Sequence, residues 1–139
     1  MVVAIIAILS SVFLIGLRGF RGSAYDARRL SDLQKVQSYL ELYYNKARTY
    51  PDKASYEELM KDDAFLSAIG ISALPDDPIS GAHYLYAVDI DGQSYILGAI
   101  LSDPNAAALD ESQEIDTLPP GFSGIDCADD ETPAYCIHF

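Results

Sequence analysis

Few side chains in this sequence have the types and spacing that catalysis requires. The two histidines, His83 and His138, lie in no motif typical of a metal centre or of an activated nucleophile. The sequence also lacks a glycine-rich loop of the kind that binds phosphate. We therefore predict that the protein is not an enzyme and that it has no catalytic residues.

Carboxylates are the side chains most densely clustered along the chain, and they point to one candidate ligand. Calcium is bound by several oxygen atoms at once, and acidic residues are concentrated at 76–77, 103–116 and 126–131. The favoured interpretation is a set of solvated surface acids with no cofactor, and calcium binding is the alternative. The candidate calcium ligands are Asp103, Asp110 and Glu111.

Charge is divided unevenly between the two halves of the chain. All nine lysines and arginines fall between Arg18 and Lys61, and residues 1–61 carry a net charge of +3. Residues 62–139 carry fifteen acidic side chains and no basic one, which brings the whole chain to −12. Since an acidic domain repels phosphate backbones, we expect this one not to bind nucleic acid.

Two cysteines close to the C-terminus predict a disulfide. Cys127 and Cys136 are nine residues apart, and the sequence has no Cys-x-x-Cys motif of the kind found in metal sites. A disulfide between them is the simpler interpretation, and two free buried thiols are the alternative. Because disulfides persist in oxidising compartments, the pair predicts that the domain lies outside the cytoplasm.

The longest element predicted from the sequence is an N-terminal helix, which begins with an apolar segment. Met1–Leu17 contains no charged residue, and its uniform hydrophobicity differs from the one-sided pattern of a surface helix. A spanning helix needs about twenty residues, so the segment is slightly short for a membrane. A cleaved secretory signal is disfavoured, because the apolar run has no basic region before it and no small-x-small cleavage site after it.

The helical pattern continues without proline or glycine from Ser23 to Arg48. Apolar residues recur there at heptad-like spacing, and charged residues occupy the other sides of the helix. Tyr50-Pro51 ends the helix, because the residue before a proline disfavours helix. The apolar positions are Leu30, Leu33, Val36, Leu40, Tyr43 or Tyr44, and Ala47, and the charged ones are Asp26, Arg28, Asp32, Lys35 and Lys46.

We therefore predict one near-continuous helix over Met1–Arg48 that serves two regions. Residues 1–23 form an apolar part that must be buried in a bilayer or among copies of itself. Residues 24–48 form an amphipathic part that belongs to a globular domain at 24–139. Three glycines, at Gly16, Gly19 and Gly22, mark a flexible or close-packed joint, since each costs about 1 kcal/mol relative to alanine in a helix.

The rest of the domain is predicted to hold one further helix and a small antiparallel sheet. The helix spans about 55–69, with Ser55 as its N-cap and Gly70 beyond its end. Two strands, at 83–90 and 94–101, are joined by Asp91-Gly92, which is a strong hairpin signal. Residues 102–120 read as a surface loop and 134–139 as a third strand. The predicted fold class is α+β, with the long helix packed on the sheet.

Several short segments of this sequence resemble type IV pilins and type II secretion pseudopilins. The segment at 74–78, followed by a tyrosine-rich hairpin, is similar to the small major pseudopilins, and the resemblance covers roughly the first 100 residues. The segments are Val2-Val3-Ala4-Ile5-Ile6-Ala7-Ile8-Leu9, Asp26-Ala27-Arg28-Arg29, Leu40-Glu41-Leu42-Tyr43-Tyr44, Thr49-Tyr50-Pro51 and Leu74-Pro75-Asp76-Asp77-Pro78.

The resemblance implies a structural subunit of a helical filament of identical copies, resident in the inner membrane before pilus or secretion machinery assembles it outside. A type II secretion pseudopilin is one alternative, and a membrane-tethered extracytoplasmic binding domain is another. The family also implies calcium in the loop after the hairpin, although the glycine-bearing pattern of that loop is not reproduced here. The residues expected to form the filament core or membrane helix are Val2, Val3, Ile5, Ile6, Ile8, Leu9, Val12, Phe13 and Leu14.

The start of the family's motif is missing from this sequence. In the family a cleaved Gly and a methylated Phe precede Thr-Leu-Ile-Glu, and a run like Met-Val-Val follows; this chain begins at that Met1. We interpret the difference as a truncated sequence or a late start, so the processing site lies outside these residues.

Overall fold

The structure, a computed structural model, is an α+β fold in which one long helix packs against a small antiparallel sheet. It describes the backbone of residues 2–110, 114–128 and 132–139, and the side chains of these ranges from Arg21 onward. The predicted α+β class is therefore confirmed. The elements in chain order are α1 (Val2–Ala47), α2 (Tyr56–Met60), α3 (Asp63–Ile69), β1 (Leu85–Val88), β2 (Tyr95–Ile100), a short 3-10 helix (Ala107–Asp110) and β3 (Ala134–His138).

The long helix α1 is continuous over Val2–Ala47, in agreement with the helix predicted over Met1–Arg48. Leu33, Val36 and Leu40 are its most deeply buried apolar residues, with at most 1% of each exposed. The helix ends where Arg48 adopts a φ of 61°, a left-handed conformation that breaks the helical hydrogen-bond ladder.

The three described strands pair antiparallel in the order β1-β2-β3, which includes the third strand that the sequence predicted. Because side chains alternate along each strand, the sheet separates two apolar clusters. Tyr86, Leu97 and Ile137 are aligned across the strands and lie in the larger cluster with the buried face of α1. Ile96 and Cys136 lie in the smaller cluster on the opposite face.

The disulfide predicted from the cysteine spacing is present. Cys127 and Cys136 are bonded, with a sulfur–sulfur distance of 2.08 Å, and both residues are buried in the smaller cluster. Since Cys136 lies in β3, the bond fastens the chain before Cys127 to the outer face of the sheet.

Residues 102–120 differ from the surface loop that the sequence predicted. They include the 3-10 helix, and the Ile115 N–H donates a hydrogen bond of 2.9 Å to the Cys136 carbonyl. We call residues 114–128 the outer segment, because their apolar side chains cover the sheet face turned away from α1. The sequence analysis did not predict that these residues cover the sheet, because the spacing of the apolar residues matches neither the helix period nor the strand period. The covering residues are Ile115, Leu118, Phe122 and Ile125.

The single helix predicted at 55–69 is two helices. Ser55 caps α2 by accepting a hydrogen bond from the Glu58 N–H, and Gly70 ends α3 with a φ of 76°, as predicted. Between them Asp62 acts as a second N-cap, because its carboxylate accepts from the N–H groups of Ala64 and Phe65. The second cap starts a new helix in place of a continued one.

The hairpin strands are shorter than predicted because Asp89 reorganises the turn. Its carboxylate accepts hydrogen bonds from the N–H groups of Gln93 and Ser94, which lengthens the loop at the expense of the ladder. Gly92 has a φ of 64°, and a Cβ there would lie 2.1 Å from the Thr49 hydroxyl oxygen. Glycine is therefore needed for this loop to contact the chain just after α1.

Candidate functional site

The side of α1 that faces the domain begins with a buried charge cluster. The Arg29 guanidinium donates from Nε to Asp77 Oδ2 at 2.6 Å and from Nη2 to Asp77 Oδ1 at 3.0 Å. Its Nη1 donates to Asp26 Oδ1 and to the Ser102 hydroxyl, both at 2.7 Å. We call Asp26, Arg29, Asp77 and Ser102 the Arg29 clamp. The side chains of its three ionic members are each at most 8% exposed.

The clamp joins α1 to two loops that are distant from it in sequence. Asp26 also accepts from the backbone N–H groups of Ser102 and Asp103, at 2.8 and 3.1 Å. A buried ion pair is stable only when such additional hydrogen bonds satisfy its remaining oxygens, as they do here. The clamp therefore ties α1 to both loops at the point where the helix reaches the domain.

The electrostatics of the clamp favour its charged form. The hydrogen bond with Asp77 raises the pKa of Arg29 above its ordinary value, against the opposing effect of burial. Burial alone would raise the pKa of Asp77, but the hydrogen bonds from Arg29 and the Ile79 N–H lower that pKa below its usual range. Both partners therefore stay ionised at neutral pH.

Asp32 forms a second polar contact one turn further along α1. Its carboxylate lies 2.7 Å from Lys35 Nζ and 3.6 Å from Arg28 Nε, and it accepts a hydrogen bond of 3.1 Å from the Tyr84 hydroxyl. Burial, and then the negative charge of Asp32, raise the pKa of Tyr84. The phenol therefore remains a hydrogen-bond donor at physiological pH.

The sequence analysis placed Asp26 and Asp32 on the sides of the helix other than its apolar face, but the structure buries both side chains. Asp26 is 6% exposed and Asp32 is 3% exposed. An analysis based only on apolar residues did not predict their burial, because the first residues of the buried face are polar. The alternating steps of three and four residues that identify one face run through Asp26, Arg29, Leu33, Val36 and Leu40.

The predicted joint and filament core lie at the other end of α1. A Cβ at Gly22 would sit 3.5 Å from Ser102 Cβ, an ordinary contact beside the clamp. Gly16 and Gly19 lie outside the part of the chain whose surroundings are described, as do Val2, Val3, Ile5, Ile6, Ile8, Leu9, Val12, Phe13 and Leu14.

Within residues 21–110, 114–128 and 132–139, no helix combines the length and the apolar character needed to cross a membrane.

The calcium candidates are placed on the protein surface. Asp103 is exposed, and its Oδ1 accepts a hydrogen bond of 2.9 Å from the Asn105 N–H. Asp110 ends the 3-10 helix and lines a surface pocket of about 620 Å³ together with Asp116. Glu111 lies outside the described residues. No group of three or more metal-binding side chains is found within residues 21–110, 114–128 and 132–139.

The two histidines make contacts that do not depend on a ligand. His83 Nδ1 lies 3.0 Å from Asp76 Oδ1 at the surface, and the hydrogen bond with that carboxylate raises the pKa of His83. The ring of His138 packs edge-on against Phe122, with ring centroids 5.3 Å apart.

Many of the ten tyrosines belong to the packing of the helix against the sheet. Tyr50 and Tyr95 meet edge to face with centroids 4.5 Å apart, and Tyr44 stacks on Tyr50 at 4.7 Å. Buried hydroxyls find partners, as where Tyr86 donates to the Pro51 carbonyl at 2.8 Å and Tyr56 to the Pro75 carbonyl. These rings supply apolar area together with a satisfied polar group.

Comparison of the chain with protein-family models, with curated proteins and with solved structures finds no match.

Proposed function

We propose that this protein is a structural subunit of a type IV pilus-like filament, assembled through packing of its hydrophobic N-terminal helix. The observation that carries the proposal is the continuity of α1, which extends over Val2–Ala47 from the uncharged segment into the domain. At 1.5 Å per residue this helix is about 69 Å long. It is longer than a domain of this size can cover.

The uncharged half of α1 requires an apolar partner outside its own domain. Leaving a large apolar side chain in water costs about 1.5–3 kcal/mol, and nine such residues lie between Val2 and Leu14. A bilayer supplies that partner to a single subunit. In a filament, the same segment of neighbouring copies supplies that partner. We call this uncharged N-terminal half of α1 the stem, and the stems would surround a common axis.

The Arg29 clamp supports a filament over a flexible tether. It holds α1 rigidly against the domain through buried, multiply bonded charges. A tether functions equally well with a flexible linker, whereas a filament needs every domain at the same angle to its stem. The proposal therefore places the subunit in the inner membrane before assembly and outside it afterwards.

Imaging of assembled material tests the proposal. Filaments sheared from cells that produce the chain should show stems of α1 packed at the centre in a cryo-electron microscopy map. Val12→Asp should prevent filament formation, because a carboxylate cannot be buried among apolar stems at low cost. Val12→Leu is the matched control and should assemble. A chain found only as a membrane-bound monomer would instead indicate the tethered binding domain.

The same proposal leaves a pilus and a secretion pseudopilus as the two settings. Neighbouring genes for an assembly and a retraction motor would indicate a pilus. A secretion operon would indicate a pseudopilus, with the same stem packing in both cases.

A further inference from the structure

Three basic side chains form a line along the solvent face of α1. Arg21, Arg28 and Lys35 are spaced seven residues apart, and a heptad returns a residue to the same face with a drift of only about 20°. All three are exposed, with 64% of the Arg28 side chain and 56% of the Lys35 side chain accessible. We call these three residues the basic stripe.

The charge of the basic stripe is not balanced within its own helix. Between Arg21 and Ala47 the carboxylates Asp26 and Asp32 are buried, and Glu41 is half-buried and bonded to Tyr50. Asp26 pairs with Arg29 of the clamp, and Asp32 alone serves both Arg28 and Lys35. The described solvent face of α1 therefore carries cations without an exposed carboxylate.

A surface of opposite sign lies on the outer segment and on the end of the adjoining 3-10 helix. Asp116 and Asp126 belong to the outer segment, where they are exposed beside Ile115 and Ile125, which cover the sheet face turned away from α1. Asp110 lines the same surface pocket as Asp116. The chain has no lysine or arginine after Lys61, and no salt bridge of Asp110, Asp116 or Asp126 is seen among the described residues. We call Asp110, Asp116 and Asp126 the acidic surface.

We infer that the basic stripe of one copy docks against the acidic surface of a second copy of this chain. The inference rests on the proposed filament function, because assembly is what brings domains of two copies side by side. Two different patches meet in such a contact, so it is heterologous and can repeat without closing. An open series of this kind is the symmetry that a filament requires.

The geometry favours a protein partner over an anionic membrane. The stripe runs for fourteen residues, or about 21 Å, along the helix axis. A membrane that receives the N-terminal stem end-on would meet only the Arg21 end of this line. A neighbouring copy lying alongside α1 can meet all three cations, and it brings carboxylates on a surface of its own.

Zero-length carbodiimide cross-linking of the full chain in assembled material tests the contact directly. We expect Lys35 to be joined to Asp110, Asp116 or Asp126 of another copy, identified as mixed-isotope peptides when labelled and unlabelled chains are combined before assembly. Raising the salt from about 0.05 to 0.5 M should lower the yield roughly tenfold, since exposed charges are screened. Arg21→Lys should add a second cross-linkable amine on the same line. Lys61 is the internal control, because it is 71% exposed and paired with Glu57 on another element.

Charge reversal supplies the second arm. Arg21→Glu removes a stripe cation that has no ion pair among the described residues, so the fold should be unaffected. We expect it to reduce filament yield at least fivefold, and the double variant Arg21→Glu with Asp116→Lys to restore most of that yield. Lys61→Glu should assemble like the wild type.

Each outcome separates the inference from the proposed function. Wild-type filaments without inter-copy cross-links from Lys35, or with Arg21→Glu assembling normally, would overturn the docking contact and leave the filament standing. Cross-links absent while Arg21→Glu selectively weakens retention on anionic vesicles would assign the stripe to a membrane. A wild-type chain that forms no assembly would overturn both.

Discussion

The two halves of α1 both carry apolar residues that must be covered, but the sheet of its own domain can cover only the C-terminal half. The C-terminal half buries one face against its own sheet, where Leu33, Val36 and Leu40 are almost completely covered and the Arg29 clamp begins the row. The N-terminal half is apolar on every side in sequence, so a single facing sheet could not cover it. The difference teaches that a face with polar members is matched to one specific partner, whereas an apolar surface all round suits repeated contacts with identical stems.

The largest expected effect on stability is at the Arg29 clamp, in the C-terminal half of α1. Arg29→Ala leaves the buried carboxylates of Asp26 and Asp77 without their cation, so it should lower the free energy of unfolding by about 3–5 kcal/mol. Chemical denaturation followed by circular dichroism would measure the change. Arg28→Ala is the matched control on the neighbouring position, and its exposed pair with Asp32 should be worth about 0.2–1 kcal/mol. Equal losses in the two variants would contradict the role of the clamp.

Two leucines on opposite faces of α1 provide the next comparison. Leu40→Ala removes a side chain with 0% exposure and should destabilise the domain by about 2–5 kcal/mol through lost burial and a residual cavity. Leu42→Ala, two residues on, changes a side chain that is 42% exposed and should stay within about 0.5 kcal/mol of the wild type. Thermal and denaturant unfolding of the pair would show whether the domain covers only one face.

Much of this arrangement could be predicted because it depends on local rules. The buried leucines follow the helix period, Ser55 and Gly70 carry cap chemistry, and the cysteine spacing predicted the bond. Asp26 and the outer segment were missed because tertiary partners decide them. The Asp26 carboxylate is buried because Arg29 and the Ser102 N–H donate hydrogen bonds to it, and the contact with Ser102, 76 residues away, cannot be predicted from a local pattern. Phe122 and Ile125 likewise cover the sheet without any period.

The disulfide allows the outer layer to be compared with the helix layer. Cys127→Ala with Cys136→Ala opens a nine-residue separation, so the chain-entropy model predicts a loss of about 2–3 kcal/mol. Hydrogen exchange should rise most in the outer segment and least at Leu33 and Val36. Mass measurement of the unreduced wild type after thiol alkylation is the control, and two alkylated cysteines there would contradict the bond itself.

Lowering the pH should reduce the stability of the domain, because Asp77 of the Arg29 clamp becomes protonated. Its pKa is lowered in the folded protein, so its share of stability is fully present above the unfolded value of about 3.9 and is lost as the pH falls through the lower folded value. Asp77→Asn should remove this part of the dependence, which lies below about pH 5. If the free energy of unfolding of the variant fell with decreasing pH as steeply as that of the wild type, the pH dependence would come from other carboxylates.

The joint between the two halves of α1 should contribute little to the stability of the domain. Gly22→Ala should change the domain's free energy of unfolding by about 1 kcal/mol or less, in the stabilising direction, because alanine favours helix and its Cβ would meet Ser102 at an ordinary 3.5 Å. In the proposed filament, the effect on assembly should be larger. Neighbouring stems can shield a broken stretch of helix, and the glycines Gly16, Gly19 and Gly22 make local unwinding cheap there. Replacing all three with alanine should therefore stiffen the joint and reduce filament yield while membrane insertion stays intact. Normal assembly of this triple variant, or a filament map with unbroken helix from residue 16 to residue 22, would show that α1 enters the filament as the same continuous helix that the free subunit contains.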